Sequence, residues 1–260
     1  MTYKEKSCEE FSRLLDIIDE LRQKCPWDMK QTNESLRKLT IEETYELADA
    51  ILSGDDEGIK KELGDIMLHV VFYAKIGSEK NLFSMTDVLK GINEKLIYRH
   101  PHVFGNIEVA DPAEAEKNWE HLKIKESDCY KPVLSGVPSS LPAIVKANRI
   151  QEKVKAVGFD WEDRTQVWDK VLEELSELKE EAENKDTEKI ESELGDLLFS
   201  IINASRLYAI DPEAALEKTN RKFIKRFNYL EQETMVKGKS LHDMSLDEMN
   251  EIWEEAKKFE

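Results

Sequence analysis

The chain has 260 residues, with 38 Lys and Arg against 55 Asp and Glu, a formal net charge of −17. That length predicts two domains, and 40% apolar residues suffice for two small cores, which excludes wholesale disorder. The acidity argues against a nucleic-acid polymer as the main partner, because backbone phosphates need concentrated basic charge; a small phosphorylated ligand held by a metal and a few cations stays open.

The segment opening Met1-Thr2-Tyr3-Lys4 lacks the apolar core of a signal peptide, and no run approaches the ~20 apolar residues of a membrane helix. Cys8, Cys25 and Cys129 form no C-x-x-C pair and leave one over in any disulfide scheme, so reduced thiols and a cytoplasmic location are expected. Phe11, Leu14, Leu15, Ile18 and Leu21 follow helical spacing. Asp111-Pro112 and Asp211-Pro212 each place an N-cap before a proline at the first helical position. Ser127 to Pro142 holds Pro132, Pro138, Pro142, Gly136 and several serines, and reads as a linker. Ile144, Ala147, Ile150, Val154 and Val157 resume the helical period, and Ser245-x-x-Glu248 is a capping box before a last helix. Strand-like alternation is nearly absent. The expected fold is all-α, with domains at 1–126 and 143–260 joined by a linker at 127–142.

An internal repeat organises the chain. Glu42-Glu43-Thr44-Tyr45-Glu46 recurs as Glu173-Glu174-Leu175-Ser176-Glu177, and Glu62-Leu63-Gly64-Asp65 recurs as Glu193-Leu194-Gly195-Asp196, both at an offset of 131 residues. Asn93-x-Lys95-x-Ile97-x-Arg99 returns at Asn220-x-Lys222-x-Ile224-x-Arg226, and Trp119-x-x-x-Lys123 at Trp253-x-x-x-Lys257. The halves read as copies of one helical domain.

Residues three apart share a helix face, about 4.5 Å apart along the axis. Suppose each carboxylate pair lies on one arm of an antiparallel hairpin. Residues 174 with 196 and 177 with 193 both centre on Lys185, and 43 with 65 and 46 with 62 both centre on Gly54. Each hairpin would then gather four carboxylates, which repel unless a cation joins them. Hard oxygen ligands suit Mg²⁺ or Mn²⁺. A single E-x-x-E is usually solvated helix surface; the shared midpoint, met twice, favours the metal. Gly64 and Gly195 cost helix stability, which points to close packing or ligand approach. Di-iron bundles use E-x-x-H; His69 lies one turn after Asp65, but the second copy has Ser200 there, so iron is disfavoured. His100-Pro101-His102 reads as a helix-end motif rather than zinc ligation.

Lys222 with Arg226, and Lys95 with Arg99, are basic pairs four apart on one face. They either balance nearby glutamates or neutralise phosphates. Lys257 could serve likewise. Trp253 could stack on a base, although core packing is the better account.

These residues resemble the MazG nucleoside triphosphate pyrophosphohydrolases. The resemblance is carried by Cys25-Pro26-Trp27-Asp28 with Gln31-Thr32, the two E-E-x-x-E and two E-L-G-D boxes, and the run from Lys95 to Gly105. In the second half it is carried by Arg149-Ile150-Gln151-Glu152-Lys153 and Val157-Gly158-Phe159-Asp160-Trp161. It spans nearly the whole chain. It implies helix pairs forming four-helix modules completed by homodimerisation. It also implies Mg²⁺-dependent hydrolysis of nucleoside triphosphates to monophosphate and pyrophosphate, and a house-cleaning or stress-response role. On that footing Glu174, Glu177, Glu193 and Asp196 are the expected metal-binding and catalytic residues, and Lys170, Lys222, Arg226, Trp253 and Lys257 the substrate-binding ones. Glu43, Glu46, Glu62, Asp65, Lys95 and Arg99 form a possible second site. The C-terminal copy is favoured as the active one: it has Lys170 where the first copy has Leu39, and two-copy relatives point the same way. Two other readings are a non-enzymatic helical scaffold and a pyrophosphatase restricted to pyrimidine or modified deoxynucleotides.

Overall fold

The structure, a computed structural model, describes residues 1–111, 114–115, 118–119, 122, 132–161, 163–236 and 238–259. Among these residues all regular structure is helical. The chain divides into two compact units, Met1–Lys123 and Ile124–Glu260. No helix is long and apolar enough to cross a membrane.

In the first unit, α1 (Tyr3–Lys24) starts at a Thr2/Glu5 capping box and α2 (Asn33–Ser53) at a Thr32/Ser35 one. These caps satisfy amides that the first turn leaves orphaned. Gly54 adopts φ +69° at the end of α2, Asp55 caps α3 (Asp56–Glu79), and the two helices form a hairpin. Ile18 of α1, Leu36 of α2, and Val71, Phe72 and Ile76 of α3 make the buried core. Phe11, Leu14, Leu15 and Leu21, the stripe expected from spacing, pack against it. α4 (Met85–Arg99) follows, then the single turn α5 (Pro101–Phe104) begun by Pro101. His100 sits between them, its Nδ1 2.7 Å from the Leu96 carbonyl, as a helix-end residue.

In the second unit, α6 (Ala143–Lys155) packs along α8 (Thr187–Leu207). α7 (Arg164–Asn184) and α8 form the second hairpin, with Lys185 in the left-handed conformation (φ +59°) and Asp186 capping α8. Both turns therefore centre on the residue about which the carboxylates are symmetric. Val167, Val171 and Ala204 form the core, joined by Leu197 and Leu207. α9 (Pro212–Val236) packs on α6 and on α10 (Leu246–Ala256), which starts at the Ser245/Glu248 capping box.

Two local expectations shift. Val157, placed by its spacing on the α6 stripe, falls in the turn after the helix, where Gly158 takes φ +88° and reverses the chain. Close packing among the described residues does not explain Gly64 and Gly195, because a Cβ at either meets nothing within 4 Å there. Pro112, Lys123, Cys129 and residues 123–131 lie outside the described residues, so the Asp111-Pro112 helix start and the first part of the linker are not described.

Candidate active site

Each hairpin turns one carboxylate pair toward the other. In the second unit, Glu174, Glu177 and Glu193 each offer an oxygen within 4.8 Å of the other two. In the first, Glu43, Glu62 and Asp65 do the same. Three of the four expected carboxylates thus converge in each copy, while Asp196 and Glu46 stand outside those groups. Glu174 and Glu62 are buried, the others half-buried or exposed. Such crowding has an electrostatic signature. Burial, followed by repulsion from Glu177, Asp196, Glu174 and Glu181, pushes the Glu193 carboxyl up. Burial, then Asp65 and Glu46, does the same to Glu43. Glu62 adds a second sign, since its buried Oε2 has no hydrogen-bond partner among the described residues. An all-oxygen donor set with an orphaned buried carboxylate oxygen fits a hard divalent cation.

The two clusters hold their lysines differently. Lys170, one turn before Glu174, reaches Glu173 and Glu174, both at 2.8 Å, and these bonds hold its ammonium well above the usual lysine range. In the first copy Lys61 lies among the carboxylates themselves, 2.8 Å from Glu62 and 3.8 Å from both Glu46 and Asp65. Its pKa is raised by the Glu62 bond first. The matching position in the second copy is Ser192, which carries no charge. His69 is buried below the first cluster with Nδ1 unpartnered, and burial lowers its pKa against the pull of Asp65. It is not among the converging ligands.

Beside the second cluster opens a cavity of about 490 Å³. Lys170, Glu174 and Asp196 are on its wall, together with Gln151, Phe159, Trp161, Phe199, Asn203 and Arg206. Arg206 pairs with Asp160 and also donates to Asn203 Oδ1, which ties the Gly158–Trp161 turn to α8. Spacing singles out none of these six as ligand-facing; the only sequence signal is that Gln151 and Phe159–Trp161 lie in boxes that carry the family resemblance.

Lys222, Arg226, Trp253 and Lys257 are elsewhere in the second unit, on or next to α9 and α10, and none lines this cavity. The Arg226 guanidinium lies 5.7 Å from the Trp253 ring centre, Trp253 tilts against Phe223 at 4.9 Å, and Lys257 pairs with Glu254. In the first unit Lys95 is exposed on α4 and Arg99 sits 5.7 Å from the Trp119 ring. The matched arginines, Arg99 and Arg226, thus keep matched tryptophan partners in both copies.

Comparison with known proteins bears on the family. The family described as MazG nucleotide pyrophosphohydrolase domain matches residues 31–104 and again 163–230, together more than half of the chain. The chain belongs to the MazG family. Each match spans one carboxylate hairpin and takes in the basic pair on the helix after it. The chain is 46% identical over 250 residues to the Thermotoga maritima protein named "Nucleoside triphosphate pyrophosphohydrolase/pyrophosphatase MazG", covering 95% of both. It is 38% identical over 258 residues to an Escherichia coli K12 protein named "Nucleoside triphosphate pyrophosphohydrolase", covering 96% of this chain and 98% of that one. A Bacillus subtilis protein named "Uncharacterized protein YabN" is 45% identical over 255 residues, which are 52% of its length.

Proposed function

We propose that this MazG-family chain is a nucleoside triphosphate pyrophosphohydrolase, active in its C-terminal copy with Mg²⁺, or Mn²⁺ in its place. Nucleoside triphosphates are the substrates; monophosphate and pyrophosphate are the products. The near full-length relatives that bear this activity in their names support the reaction. The observation that carries the location is the convergence of Glu174, Glu177 and Glu193 beside a cavity that Lys170 also lines. We assign the metal to these three carboxylates and Asp196. When bound, the cation would neutralise the carboxylates and polarise the phosphate under attack.

The remaining steps belong to the chain. Glu174 or Glu177 orients the attacking water and accepts its proton. Lys170, held on Glu174, supplies a positive charge that partly offsets the −17 of the chain where an anionic substrate arrives. Lys222, Arg226 and Lys257 are assigned to the phosphates and Trp253 to substrate contact. That none of them lines the cavity fits sites completed by a partner subunit in a homodimer. A house-cleaning role in the cytoplasm completes the reading. The Glu43, Glu46, Glu62 and Asp65 cluster, with Lys95 and Arg99, is a second site of weaker metal affinity, because Lys61 competes there.

The test is a substrate panel with and without Mg²⁺, with products identified, on the wild type and Glu193→Gln. Monophosphate and pyrophosphate are expected, with a loss of about 100-fold or more in the variant. Full Mg²⁺-dependent turnover by Glu193→Gln would remove the metal assignment, and release of orthophosphate alone would remove the reaction.

A further inference from the structure

Among the polar groups of the cavity beside the C-terminal carboxylates that the reaction does not use, Gln151 is the one with a buried, unpartnered atom. Gln151 of α6 is only 4% exposed and lines the cavity. Its Nε2 donates to the Phe199 carbonyl at 2.8 Å. That bond fixes the amide: a flip would set two oxygens against each other. The other atom is therefore an acceptor, and Oε1 is buried without a partner among the described residues. A buried acceptor left unpaired is costly and calls for a donor from outside the chain.

The rest of the wall indicates what brings that donor. The volume lies within the roughly 300–1,000 Å³ of small-molecule sites. Phe159 and Trp161 line it although 80% and 43% exposed, which leaves aromatic faces for a planar ring. Lys170, assigned above to the anionic substrate, and Glu174, assigned to the metal, share the same wall. Every standard base carries an N–H on its pairing edge: the amino groups of adenine and cytosine, N1–H and the amino group of guanine, and N3–H of uracil and thymine. A lone acceptor accepts all of them.

We propose that this cavity is the nucleobase site, and that Gln151 Oε1 is a specificity-determining acceptor requiring an N–H donor on the base edge. The inference rests on the pyrophosphohydrolase reading above. It makes the enzyme tolerant among the standard bases yet selective against bases whose edge N–H is missing or methylated.

Two substrate pairs test it in the wild type: ATP against purine riboside triphosphate, which lacks only the amino group, and UTP against its N3-methyl derivative. The donor-bearing member should be favoured in kcat/KM by at least about tenfold in each pair. In Gln151→Met, ATP should fall to within about threefold of purine riboside triphosphate, with the latter unchanged within the same margin. Equal handling of both pairs by the wild type overturns the proposal. So does an equal loss for both pair members in the variant, which would assign Gln151 to holding the Phe199 carbonyl. Binding of adenosine and purine riboside, followed by Trp fluorescence with Trp161→Phe as control, needs no turnover. If no nucleotide is hydrolysed but adenosine still binds about tenfold more tightly, the pyrophosphohydrolase reading fails and the base site stands. Equal binding of the two nucleosides overturns the base site.

Discussion

At the scale of the residue, the carboxylate clusters make the protein less stable without a cation, and the sign follows from linkage. The folded-state pKa of Glu193 is raised by burial and by its acidic neighbours. The folded chain therefore holds a proton that the unfolded chain releases earlier. Between the unfolded and the raised pKa the folded state binds more protons, so this group's contribution falls as pH rises through that window. Glu43 behaves alike. With metal removed, Glu193→Gln should melt above the wild type at neutral pH, and the gap should close as pH falls below the ordinary glutamate range. Saturating Mg²⁺ should reverse the order, since a ligand that binds only the folded state stabilises in proportion to its affinity. Thermal scans with and without chelator read both. Lys61 gives a second prediction. Lys61→Ser installs the residue found at the matching position of the second copy and removes an ammonium that touches three carboxylates. Mn²⁺ bound per chain at a fixed subsaturating concentration should rise several-fold in its first cluster, as counted by paramagnetic resonance with Glu193→Gln in the background. The carboxylate pairs were legible in the sequence because a helix repeats its face every three or four residues. Gln151, Asn203 and Arg206 were not, because they meet the cavity only through the packing of α6 on α8 and the Asp160–Arg206 pair, which local spacing does not encode.

At the scale of the element, the two hairpins show one turn solved with two residues. Position 54 is Gly at φ +69°, and its repeat partner 185 is Lys at φ +59°. A side chain in the left-handed region crowds its own backbone, at about 1 kcal/mol or more, whereas Gly adopts it freely. Lys185→Gly should therefore stabilise by about 1 kcal/mol, and Gly54→Ala should destabilise by a similar amount, both measured by denaturant unfolding with unchanged m-values. A loss of stability in Lys185→Gly would mean that the lysine's own contacts outweigh the backbone term. The position of each turn was readable because carboxylate symmetry and the Asp55 and Asp186 caps agree. The end of α6 was less readable. Val157 keeps helical spacing, yet Gly158 at φ +88° ends the run, and periodicity carries no information about a stop.

At the scale of the whole molecule, the repeat extends to what the chain leaves uncovered. Leu63, Met67 and Val70 on α3 are spaced i, i+4 and i+7 and all exposed. The equivalent residues on α8, 131 positions on, are Leu194, Leu198 and Ile201, and they too are exposed. Ile41 and Leu172 extend the match to α2 and α7. Scattered exposed leucines are ordinary surface, but the same apolar stripe left open in both copies marks a face that needs a partner. Gly64 and Gly195 adjoin these stripes with open space where a Cβ would stand, and such space lets another backbone come close. The homodimer proposed above would cover such a stripe with a symmetric interface. Leu198→Glu sets a charge in the middle of the stripe without touching the Val167, Val171 and Ala204 core. The wild type should run as a dimer in light scattering, while the variant should run as a folded monomer with unchanged helical circular dichroism. Its turnover should fall by about tenfold or more, because α9 and α10, which carry Lys222, Arg226 and Trp253, would no longer be offered to a neighbouring cavity. A monomeric Leu198→Glu with full activity would separate catalysis from assembly and return those basic residues to a role within their own subunit.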